Sequence, residues 1–144
     1  MNRRAARELA MKVLFQWDLV PCRWEKALAY LAEEEQISGG LLDFAEQLVR
    51  GVTENAEELD EIIGRYTRDW RLERLATVDR AILRLGLYEI LHRDDIPIRV
   101  SINEAVELAK VYGTNDSSRF INGLLGQYVR EGLPEEVLTR KDSR

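Results

Sequence analysis

Three sets of residues carry side chains suited to chemistry or recognition. Arg3, Arg4 and Arg7 lie close together near the N-terminus, and Phe15 follows on the same outward face of one helix. Guanidinium groups bind phosphate, and an aromatic ring is a stacking platform for unpaired bases. The same residues also suit solvated arginines with a phenylalanine packed under a neighbouring helix. The second set is Asp116-Ser117-Ser118-Arg119-Phe120, where polar side chains and free backbone N–H groups gather at a helix start. Such an end can receive phosphate or simply cap itself. The third is Asp79, Arg80, Arg84 and Tyr88, with Glu89 beside them, on an otherwise apolar helix. Positions 80, 84 and 88 are one turn apart, a stripe able to meet a partner protein or to complete an intramolecular ion pair.

Catalytic patterns are missing from the chain. It has no GxxxxGK[ST] phosphate loop, GxGxxG turn, CxxC, HExxH or nucleophile elbow. The single histidine, His92, falls at a helix C-terminus, where a cation suits the dipole. Cys22 is the single cysteine, a loop thiol beside Pro21, so the sequence offers no zinc set and no internal disulfide. The carboxylates of Glu33-Glu34-Glu35 and Glu57-Glu58 are adjacent in sequence and point to different sides of a helix, as solvated faces do. We therefore expect no catalytic residue, no metal and no cofactor.

Positioning these residues requires a folded scaffold, and 144 residues, 45% hydrophobic and 33% charged, suit one domain with its own core. No apolar run approaches the roughly 18 residues of a membrane span, and the start lacks the apolar stretch of a secretory signal, so a cytoplasmic protein without membrane contact is expected. The net charge of −5 is unevenly spread. Residues 1–26 hold six Lys/Arg against three acids, residues 27–62 one against ten, and residues 63–144 fourteen against thirteen. The N-terminus is the basic pole, and the sequence reveals no internal role for Arg3, Arg4 and Arg7.

Apolar spacing of three and four recurs along the whole chain and predicts an all-α fold of about seven helices. Residues 3–20 form the first, with Ala6, Leu9, Ala10, Val13, Trp17 and Val20 inward and Arg4, Arg7, Met11, Phe15 and Asp18 opposite, ended by Pro21. A second covers residues 23–36, and a third starts near Leu41 and either continues to Tyr66 or breaks near Asn55. A turn is expected around Trp70 and residues 72–75. Thr77 then caps a helix so apolar all round that it must be central, with Ile82 and Leu85 in the core. Asp94-Asp95-Ile96-Pro97 breaks it. Ser101 and Glu104 read as a capping box for the next helix, which stops at Gly113 and contributes Leu108 to the core. Asp116 or Ser117 caps a last long helix with Leu124 inward, and a final turn follows over residues 134–140.

The motifs Arg3-Arg4-Ala5-Ala6-Arg7-Glu8, Phe15-Gln16-Trp17, Asp79-Arg80-Ala81-Ile82-Leu83-Arg84, Tyr88-Glu89, Ile102-Asn103-Glu104-Ala105-Val106-Glu107-Leu108-Ala109-Lys110, Tyr112-Gly113 and Phe120-Ile121-Asn122-Gly123 resemble the NusB family of bacterial transcription antitermination factors. The resemblance covers nearly the whole chain up to residue 130. It implies two packed three-helix bundles and a heterodimer with NusE, a small-subunit ribosomal protein. It further implies binding of single-stranded boxA RNA from ribosomal RNA operons and read-through by the RNA polymerase antitermination complex. Arg3, Arg4, Arg7, Phe15, Asp116, Ser117, Arg119 and Phe120 match the family's RNA-contacting regions, and Asp79, Arg80, Arg84 and Tyr88 its NusE-facing region. A homodimer of the free protein stays open, as do two other readings: a helical adaptor that binds proteins only, and an RNA-binding fragment of an RNA cytosine methyltransferase.

Overall fold

A computed structural model describes residues 3–20, 23–67 and 75–142. Pro21, Cys22, Trp70 and most of the turn expected before Leu75 lie outside them. Eight helices occur among the described residues, and no strand: α1 (Arg3–Leu19), α2 (Trp24–Glu34), α3 (Gly39–Glu54), α4 (Ala56–Arg65), α5 (Thr77–His92), α6 (Ile98–Tyr112), α7 (Ser117–Glu131) and α8 (Glu135–Asp142). The all-α class holds. The eighth helix is the expected C-terminal turn, extended.

Helix α1 packs on α2 and α3, α6 packs on α5 and α7, and α5 touches α1, α3, α4, α6 and α7. The result is two three-helix bundles, α1–α2–α3 and α5–α6–α7, joined through α5. Ten of the sixteen residues of α5 are buried, as its all-round apolarity demands. Gly86 lets α7 close in: a Cβ there would sit 3.2 Å from Leu125. Ile82, Leu85, Leu108 and Leu124 all lie in the core. No helix among the described residues is long and apolar enough to cross a membrane.

Local chemistry sets the breaks. Between α3 and α4, the Asn55 side chain donates to the Gly51 carbonyl at 2.7 Å, taking an acceptor that ends α3. At the end of α2 the chain turns through Gln36 at φ 58°, which lets the Ile37 N–H reach the Ala32 carbonyl at 2.9 Å. Helix α8 docks by donation: Lys141 Nζ bonds the Glu89 and Ile96 carbonyls at 3.1 and 2.7 Å, and Arg140 bonds that of Leu91 at 3.0 Å. These groups cap the C-terminal end of α5 from outside it, and burial holds the Lys141 ammonium below its ordinary pKa.

Two expected caps are corrected. Thr77 is the first residue of α5, and Ala76 occupies the cap position. Helix α6 starts one turn earlier than the Ser101–Glu104 box implies, behind Pro97, whose fixed φ and missing N–H suit a helix start. Ser101 is therefore inside the helix and spends its hydroxyl on Glu89, at 3.0 Å. Glu104 turns to the arginines of α1.

Candidate functional site

Helix α1 is buried on two sides, because it lies between its own bundle and α5. Ala6, Leu9, Ala10 and Val13 face inward as expected, but so do Arg7, Met11 and Leu14, while Val20 is exposed. The reading of Arg7 and Met11 as outward residues is thus corrected. Arg7 is 4% exposed and forks onto Glu89 at 2.8 and 3.1 Å. A buried guanidinium persists only when paired, and Glu89, itself buried, also accepts from Ser101.

Arg3 and Arg4 remain at the surface with their own acidic partners. Arg4 reaches Glu104 at 2.7 and 3.4 Å, and Arg3 reaches Asp95 at 3.3 Å. Hydrogen bonding from Arg4 to Glu104 and the negative charge there raise the Arg4 pKa above its ordinary value. The Phe44 ring carries three guanidiniums around it, those of Arg3, Arg93 and Arg7, at 4.2, 5.2 and 5.5 Å from its centre. Carboxylates from α6 and from in and after α5 therefore answer the basic pole of the sequence. The expectation that these arginines lack an internal role is overturned.

Side-chain pairs tie α1 to α6 along its length. Arg4 meets Glu104, Tyr112 donates its hydroxyl to Glu8 at 2.5 Å, and Lys12 sits 5.6 Å from the centre of the Tyr112 ring. The two helices run in the same direction, so the α1 surface leads from Arg4 past Lys12 to the half-buried Phe15 while α6 leads to the start of α7. There Asp116 and Arg119 are exposed, Ser117 is buried and Phe120 is half-buried. Asp116 makes no side-chain cap; instead the Ser117 hydroxyl accepts from the Thr114 N–H at 2.9 Å. A cavity of about 480 Å³ opens beside this turn, lined by Leu75, Asp79, Thr114, Asp116, Ser117 and Phe120 among others.

Two members of the stripe at 80, 84 and 88, Arg80 and Arg84, are ion-paired within the chain. Arg80 donates to Asp18 at 2.7 Å, and Arg84 forks onto Asp60 at 2.8 and 2.8 Å and reaches Asp18 at 3.2 Å. Burial works against the Arg84 charge, but the hydrogen bonds and charges of Asp60 and Asp18 outweigh it and hold the pKa above its ordinary value. Tyr88 lies across Gly51 and is tilted against His92, whose ring meets Glu58 at 2.8 Å. Asp79 stands apart from these three and lines the cavity beside Phe120; one of its carboxylate oxygens is buried without a hydrogen-bond partner among the described residues.

Sequence reasoning missed Glu89, Glu104, Asp95 and Asp60 as partners. The usable signal is the charged pair Arg84 and Glu89 inside a helix apolar all round, since buried charges require opposite charges.

The fold and this surface define a class: a helical recognition module whose conspicuous side chains are arginines and aromatic rings. The chain belongs to the NusB family, whose model matches residues 4–130. It is 53% identical over 140 residues to a transcription antitermination protein NusB of Carboxydothermus hydrogenoformans, covering 94% of this chain and 96% of that one. It is 49% identical over 136 residues to that of Desulforudis audaxviator, covering 94% and 97%. Among solved structures, NusB of T. maritima superposes with a TM-score of 0.87 at 38% identity, covering 96% of this chain and 98% of that one. A chain from a crystal structure of the antitermination factors NusB and NusE in complex with double-stranded RNA superposes with a TM-score of 0.82 at 29% identity, covering 89% and 96%.

Proposed function

We propose that the protein is an RNA-binding transcription antitermination factor that works with NusE. It binds boxA RNA of ribosomal RNA operons in the cytoplasm and promotes read-through within the RNA polymerase antitermination complex. It acts by recognition, not by catalysis. The observation that carries this reading is the line of side-chain pairs that sets α1 alongside α6, with Arg4 beside Glu104 at one end and Glu8 and Lys12 beside Tyr112, shortly before the turn into α7, at the other. Arg3 and Arg4 supply guanidiniums for phosphate, Phe15 and Phe120 supply rings, and Asp116, Ser117 and Arg119 supply polar groups at the turn. Arg7, buried on Glu89, supports this surface from below and does not itself contact phosphate.

Partner recognition falls to the α5 side. Asp79 and Tyr88 offer contacts to NusE, while Arg80 and Arg84, held by Asp18 and Asp60, shape that surface. Similarity to the NusB chain solved with NusE and RNA supports the assignment.

The test is fluorescence anisotropy with a labelled boxA-like single strand, a duplex of the same sequence and a scrambled strand, each with and without NusE over a salt series. We expect binding to the boxA-like strand that NusE strengthens and that weakens linearly on log–log axes with salt. NusE binding without RNA binding at low salt would identify an adaptor for proteins only.

A further inference from the structure

Both surface arginines of α1 are paired with carboxylates that already have another arginine. Asp95 accepts Arg3 at 3.3 Å and is held two-pronged by Arg93 at 3.0 and 3.0 Å. Glu104 accepts Arg4 at 2.7 and 3.4 Å and also Arg7 at 3.3 Å. Arg3 is thus the second partner of Asp95, and Arg4 shares Glu104 with Arg7. Either can leave without stranding a carboxylate.

We propose that Glu104 is a competing carboxylate, which occupies the guanidinium fork of Arg4 in the free protein and must be displaced when that fork takes a phosphate. Carboxylate and phosphate fit the same two-pronged geometry, so the two cannot occupy one fork together. The Arg4 side chain is 53% exposed and that of Glu104 15%, so exchange is a swing of the arginine head through water while Glu104 stays fixed in α6. Arg7 cannot follow, being buried on Glu89, and it remains to hold Glu104 when Arg4 departs. Glu104 therefore sets how tightly this end of α1 grips a polyanion. A loose polyanion must compete with it, which favours ligands that add other contacts. The inference rests on the RNA-binding reading for its biological meaning but concerns Arg4 and any phosphate chain.

Glu104→Gln tests it, because the amide keeps the shape and an oxygen for Arg7 while removing the charge that holds Arg4. Binding is measured to the boxA-like single strand and, separately, to inorganic polyphosphate. Both should tighten about twofold to fivefold, the range that an exposed ion pair allows. Glu107→Gln removes the same charge from the same helix, and Glu107 pairs with Lys110 at 3.4 Å, so it should give a smaller gain. In an Arg4→Ala background Glu104→Gln should give no more than that smaller gain. Unchanged or weaker binding by Glu104→Gln, or an equal gain when Arg4 is absent, would overturn the proposal. Circular dichroism checks the fold, and Glu104→Ala, which removes the carboxylate altogether while Arg7 keeps Glu89, serves if the glutamine variant does not fold. Failure of the unmodified protein to bind RNA with or without NusE would overturn the RNA-binding reading alone, since polyphosphate still decides the role of Glu104.

Discussion

Arg7 and Glu89 form a two-point ion pair at 2.8 and 3.1 Å, with side chains only 5% and 2% exposed. It joins the first helix to the central one across the boundary between the bundles. Removing one partner leaves a buried charge uncompensated, so Arg7→Ala should cost about 3–5 kcal/mol of stability. Urea denaturation measures this. The pair Arg7→Met/Glu89→Met should recover most of the loss, because apolar residues of similar volume replace a buried ion pair at little net cost. A single Arg7→Ala variant as stable as the parent would contradict the buried pair.

Gly51→Ala should displace Tyr88, since the tyrosine ring lies where the new Cβ must go. Overpacking of this kind costs about 1–3 kcal/mol. Thermal melting gives the cost. Loss of the Tyr88 ring-current shift on His92, whose ring centre lies 5.5 Å from that of Tyr88, reports the displacement by NMR.

Acid stability should depend on Asp95. Hydrogen bonding from Arg93 lowers its pKa to about 2, against 3.8 as the ordinary value. A carboxylate with a depressed folded pKa stabilises the fold above its unfolded value, and this contribution is lost as pH falls through the folded one. The Asp95 contribution should thus be constant at neutral pH and disappear between about pH 4 and about pH 2. Asp95→Asn should flatten that limb of the stability curve, and an unaltered limb would place the acid sensitivity elsewhere.

Phe120→Ala separates stacking from packing. If the half-buried ring stacks on a base, RNA affinity should fall by about 1–3 kcal/mol with an unchanged salt slope. Arg3→Ala/Arg4→Ala should instead flatten the slope by about 1.4, roughly 0.7 for each phosphate lost on a single strand. A drop in melting temperature that accounts for the whole affinity loss in Phe120→Ala would assign that ring to the core.

The helices were legible in the sequence because apolar spacing is a local property. Helix α5 announced its central place by having almost no polar face, and Asn55 marked a real break because its own side chain competes for the carbonyl that would continue α3. Arg7 was misread for the opposite reason. Its partner Glu89 lies 82 positions away, and nothing within a few residues distinguishes a buried arginine from a solvated one. Ser101 and Glu104 show the same limit: residue types that form a capping box locally are used here for Glu89 and Arg4, contacts that only the packing of α6 against α5 and of α1 alongside α6 creates.

Because α5 serves both bundles, its late place in the chain governs how the protein emerges from the ribosome. Helices α1 to α3 are complete by Glu54, yet the face they present to α5 stays open until His92 has been made. At about 5–20 residues per second that interval lasts about 2–8 s. During it Arg7 has no Glu89, and the side of the first bundle that packs on α5 has no partner helix. The first bundle is therefore made before the helix that covers its inner face.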